Sequence, residues 1–143
     1  MSFILLLEDE LLQVKLLTDM LKYQLGLSVK ATDSLEQALL LAKENPVLII
    51  SDICLVKPNN RPAIFNQDGI LFSQTVKTNP ETCHIPLILR SSMPLANFGI
   101  TFEDTKADIF LNKSISSTEF LKIVKSFVHG AADFDTISRS KPE

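Results

Sequence analysis

Short runs of consecutive apolar residues alternate along this chain with longer stretches in which apolar positions recur every three or four residues. The short runs read as strands buried on both faces and the longer stretches as helices packed over them. That is the pattern of a parallel sheet covered on both sides. Phe3–Leu7 is the first run and ends in acids. Residues 10–25 place Leu12, Leu16, Leu17, Met20, Leu21 and Leu25 at helical spacing, with Gly26 as a stop. Residues 27–31 read as a second strand. Asp33-Ser34-Leu35-Glu36 reads as a capping box opening a helix through about Lys43, and Asn45-Pro46 ends it. Residues 47–51 are a third strand, apolar until the chain reaches Asp52.

Residues 54–68 are rich in Pro and Asn and show no periodicity, so they read as a long loop serving as a lid or docking element. A helix over residues 69–77 ends at Asn79-Pro80, and residues 85–89 are a fourth strand. Within 93–106, Pro94, Gly99 and Thr101 interrupt any helix, so the fourth helix is poorly defined. Ile109–Asn112 is a fifth strand. Ser116-Ser117-Thr118-Glu119 is a second capping box, opening a helix that turns Phe120, Leu121, Val124, Phe127 and Val128 inward and closes at Gly130. The expected division is one domain over residues 1–130 and a loose tail over 131–143.

Composition narrows the function. A chain of 143 residues holds one domain with a full core. The net charge of −3 gives no basic footprint for nucleic acid. No apolar run reaches the ~18 residues that span a bilayer, and MSFILLLEDE lacks a basic leader. Cys54 and Cys83 form no C-x-x-C, and a reducing cytoplasmic setting is the expectation. His84 and His129 have no Cys or Asp partner at metal spacing.

In an open parallel sheet, ligands bind beyond the carboxyl ends of the strands. Those ends carry Glu8, Asp9 and Glu10 after the first strand, Asp52 after the third, Ser91 and Ser92 after the fourth, and Lys113 after the fifth. Carboxylates about 4 Å apart repel by roughly 4 kcal/mol per pair at an effective dielectric near 20. A hard cation relieves that repulsion, and Mg²⁺ suits two carboxylates plus waters and a phosphate oxygen. One carboxylate then remains as nucleophile, with a lysine and a serine hydroxyl for phosphoryl oxygens. Singly, each piece has an ordinary explanation: acids favour a helix N-terminus, and strand-end Asp residues often only form turns. Their coincidence at four strand ends is what points to one shared site.

ILLLEDE, LIISDICL, IPLILRSS and ADIFLNK resemble the successive strand motifs of response regulator receiver domains, over nearly the whole chain. The Asp9–Asp52 spacing of 43 and the Ser91–Lys113 spacing of 22 agree with that family. The resemblance implies a flavodoxin-like five-stranded sheet of order 2-1-3-4-5 with helices on both faces. It implies that Asp52 is phosphorylated by a sensor histidine kinase or phosphotransfer protein. Mg²⁺ would be held by Glu8, Asp9, Asp52 and the backbone carbonyl of Cys54. Lys113 would bind the phosphoryl group, and Ser91 with Phe110 would form the switch. An effector or second copy would bind the face built from the fourth helix, fifth strand and fifth helix, with neither nucleic acid nor membrane bound directly. Asp68-Gly69 comes seventeen residues after Asp52, later than in the family. Ser114 stands where proline usually follows the lysine, Thr105-Lys106 where Ala-Gly precedes the fifth strand, and Arg90 where an apolar residue is expected. An unphosphorylated pseudo-receiver is the alternative. A small aspartyl phosphohydrolase is a further one, opposed by Cys54 standing where its general acid would be.

Overall fold

The structure, a computed structural model, describes residues 2–55 and 67–139. Five strands, β1 (Phe3–Leu7), β2 (Ser28–Thr32), β3 (Leu48–Asp52), β4 (Leu87–Ser91) and β5 (Ile109–Asn112), form one parallel sheet of order β2-β1-β3-β4-β5. This is the flavodoxin-like order, with its reversal between β1 and β3. The helices are α1 (Leu11–Leu25), α2 (Leu35–Ala42), α3 (Asp68–Thr78), α4 (Phe102–Thr105) and α5 (Ser117–Arg139).

Side-chain alternation divides the core into two layers. Leu5, Leu7, Ile49, Leu87 and Leu89 pack with Ala38 and Ala42 of α2 and Phe72 and Val76 of α3. Ile4, Leu6, Ile50, Ile88 and Leu111 pack with Leu17 and Leu21 of α1 and Phe120 and Val124 of α5. Every residue of β1, β3 and β4 is buried, as expected of central parallel strands.

Several expectations are corrected. In α1 only Leu17 and Leu21 are buried, whereas Leu12 and Leu16 are exposed at 63% and 52%. A sixfold choice of apolar positions is wider than the stripe one helix face can bury. The α2 cap is Ser34, whose side chain accepts from the Gln37 amide, so that helix starts one residue later than a cap at Asp33 would place it. The 93–106 segment forms a short 3₁₀ turn, Leu95–Phe98, and the single turn α4, capped reciprocally by Thr101 and Asp104. Gly99, at φ +71°, separates the two. α5 continues through Gly130 to Arg139, because Ala131-Ala132 follow and proline first returns at Pro142. The loop expected over 54–68 falls mostly outside the described residues, but both ends are visible. The Gly69 amide donates to the Ile53 carbonyl at 3.0 Å, closing the loop at its base.

At that base Gly69 is required for space. A Cβ there would run into the carbonyl group of Asp52 and the backbone of Ile53. Backbone atoms have nowhere to retreat in a fully buried strand end. Gly69→Ala is expected to destabilise the fold by at least ~2 kcal/mol, seen as a lowered urea midpoint, whereas Gly99→Ala, which meets only open space, should cost about 1 kcal/mol of positive-φ strain. Equal losses in the two variants would contradict this packing.

Candidate functional site

The carboxyl edge of the sheet gathers the residues expected there. Asp52 is the last residue of β3, with its side chain on the α1–α5 side like that of Ile50 two residues before. Glu8 follows β1 directly and is 2% exposed; Asp52 is 7% exposed. Glu8, Asp9 and Asp52 each bring a carboxylate oxygen within 4.8 Å of the others, an arrangement able to hold a metal ion. The Lys113 ammonium lies 3.1 Å from Asp52 Oδ2 and 3.3 Å from Glu8 Oε1. Its position is fixed from the backbone, because the Lys113 amide donates to the Ser91 carbonyl at 2.9 Å.

Ser91 closes β4 and is buried; its hydroxyl oxygen accepts from the Met93 amide at 3.0 Å. Phe110 is half-buried against the α2–α3 layer. Cys54 is buried two residues past Asp52. The Lys113–Ser114 peptide is trans. Glu10 is exposed, and its amide donates to Glu8 Oε2 at 3.2 Å. Ser92 points away as an exposed residue. Sequence reasoning found the acids, the serine and the lysine. It noted Arg90 as out of pattern without assigning it to the site, yet Arg90 pairs in register with Asp52.

The electrostatics follow first from the burial of the acids. Burial raises the pKa of Glu8, and Asp52 raises it further against the pull of Lys113. Burial likewise raises Asp52, opposed by Lys113 and by the amides of Ile53 and Cys54. Burial works against the charge on Lys113, but Asp52 and Glu8 together outweigh it and its pKa rises. The cluster thus holds its cation tightly and its anions under strain, the condition in which a further cation binds well. Cys54 is pushed up to about 11 by burial, with Asp52 adding to the effect.

No protein-family model and no curated sequence matches the chain. Solved structures do match. The signal receiver domain of an HD domain-containing protein from Pseudomonas fluorescens superposes with a TM-score of 0.73 at 20% identity, covering 94% of this chain and 92% of that one. The signal receiver domain of a histidine kinase from Syntrophus aciditrophicus gives 0.70 at 22% identity, covering 100% and 97%. The receiver domain of a sensor histidine kinase from Pseudomonas aeruginosa, which has a magnesium ion coordinated in its active-site cleft, gives 0.70 at 19%, covering 89% and 97%. The chain has the receiver-domain fold.

Two outcomes follow from the site alone. Asp52→Asn removes one of three crowded carboxylates while Lys113 keeps Glu8, so without divalent cations the variant should be more stable than wild type by about 1 kcal/mol. Urea denaturation measures this, and a clear loss of stability would contradict it. At pH 8 the buried Cys54 thiol stays protonated, so iodoacetamide should modify exposed Cys83 well before Cys54. Mass spectrometry of peptides distinguishes the two.

Proposed function

We propose that this protein is a response regulator receiver domain that takes a phosphoryl group onto Asp52 from a sensor histidine kinase or phosphotransfer protein. The observation that carries the reading is the convergence of Glu8, Asp9 and Asp52 within 4.8 Å, with one lysine bridging two of them. The carboxylates fit a hard divalent ion through their crowding and raised pKa values. Glu8, Asp9, Asp52 and the Cys54 carbonyl would hold Mg²⁺. When bound, the ion neutralises charge on the phosphoryl oxygens.

The chain's residues supply the rest. A carboxylate oxygen of Asp52 attacks phosphorus in line, and the bond from phosphorus to the donor's imidazole nitrogen breaks. The electron pair stays on that nitrogen, which takes up a proton from solvent or a donor-side group. Lys113 already touches Asp52 and pairs with a phosphoryl oxygen as charge builds there. The Ser91 hydroxyl has its proton free of the Met93 contact, in which it accepts, and donates it to another oxygen. Movement of Ser91 then changes the space beside Phe110, and the altered surface of α4, β5 and α5 is offered to an effector or a second copy. The role is that of a phosphoacceptor rather than a turnover enzyme, working in the cytoplasm. No helix among the described residues is long and apolar enough to cross a membrane.

Neither Cys54 nor Met93, the neighbours of Asp52 and Ser91, orients water well, since thiol and thioether are weak hydrogen-bond partners. Acetyl phosphate with Mg²⁺ should therefore label the wild type once, and the label should outlast that of Cys54→Asn/Met93→Glu by about tenfold, the effect of one ~1.4 kcal/mol hydrogen bond. Asp52→Asn and chelation by EDTA should each abolish labelling. A wild type that stays unlabelled by donor and kinase alike points to the pseudo-receiver instead.

A further inference from the structure

Arg90 stands where the β4 pattern calls for an apolar side chain. It is 5% exposed and pairs in register with Asp52 on one side and Leu111 on the other. Alternation turns it to the α1–α5 side of the sheet, as it does Ile88. Nη2 makes a long 3.4 Å hydrogen bond to Gln13 Oε1 of α1, and the guanidinium carbon lies 5.3 Å from the centre of the Phe120 ring of α5. Nε and Nη1 are buried with no hydrogen-bond partner among the described residues. Such donors keep their desolvation cost with no bond to offset it, and a Met or Leu would avoid that cost entirely. Burial works against the charge on the guanidinium and lowers its pKa, and Glu8 and Asp52 are the charged groups whose field favours it. Glu8 Oε1 is itself buried, with only the ion pair to Lys113.

We propose that Arg90 is a second resident cation of the carboxylate site, a positioning residue that opposes a metal ion arriving alone and favours the phosphoryl group that joins it. The inference rests on the phosphoacceptor reading and concerns a residue that reading leaves idle. Glu8, Asp9 and Asp52 carry three negative charges when ionised; Lys113 and Arg90 return two. With Arg90 present, a divalent cation meets a shallower negative well. A phosphoryl group adds negative charge, which the field of the guanidinium favours. Both effects act through the field of a buried, weakly screened charge, so Arg90 does not need to touch the metal.

The two effects have opposite signs, and that separates them from a packing role. Manganese affinity is measured by electron paramagnetic resonance, and affinity for beryllofluoride, a phosphoryl mimic, at saturating Mg²⁺. Arg90→Met should bind Mn²⁺ about tenfold more tightly and beryllofluoride about tenfold more weakly, while Arg90→Lys stays within about threefold of wild type in both. A structural role alone would weaken both together. Changes of the same sign in Arg90→Met, or no change in either, overturn the proposal. If Arg90→Met does not fold, wild-type protein labelled with ¹⁵N-arginine decides. The Arg90 Nε–H resonance should shift on adding beryllofluoride with Mg²⁺, and an unmoved resonance overturns the proposal. Failure of the wild type to bind Mn²⁺ at all, with Asp9→Asn as control, would overturn the phosphoacceptor reading itself and this inference with it.

Discussion

Like charges confined at the end of a buried sheet govern this molecule. Three carboxylates sit within 4.8 Å of one another, two of them almost wholly withdrawn from water. No local preference of the chain favours that arrangement. It persists because β1 and β3 lie side by side and are buried along their full length, so their ends have no freedom to separate. The core layers on either face supply the stability against which this repulsion is set, and Lys113, delivered by β5 from two strands away, takes up part of it.

Backbone details tune both ends of the sheet. Gly69 brings α3 hard against the Asp52 carbonyl. Asn45 and Lys106 adopt left-handed conformations at φ 64°, Lys106 as the cap of α4 and Asn45 past the α2 cap at Lys43, in the segments that lead into β5 and β3. Asn tolerates that region through its short polar side chain. Lys106 has no such help. Arg90 shows the opposite economy, a charged group buried in a strand that is otherwise apolar up to Ser91.

Much of this was legible in the chain. Consecutive apolar runs located the five strands to within two residues, because strands buried on both faces carry an unambiguous composition. The acids, Ser91 and Lys113 were legible because strand ends of a parallel sheet are where ligands bind. Boundaries that depend on which of two adjacent polar residues takes the cap were not, as at Asp33 and Ser34. Which leucines of α1 turn outward was not legible from spacing, since the helix is richer in apolar residues than its contact face. The end of α5 was misread because one glycine weakens a helix without ending it. Arg90 was legible only as an anomaly: its burial depends on α1 and α5 meeting over β4, which no local window contains.

The hydrogen bond from Gly69 to Ile53 has one more implication. It ties the chain leaving Asp52 to the chain entering α3, so the two ends of the intervening segment are held together. Closing such a segment costs entropy that grows only with the logarithm of its length, about 0.6 kcal/mol for each doubling. Length there is therefore nearly free to drift over generations. The tie keeps Asp52 and the start of α3 together whatever the length of chain between them.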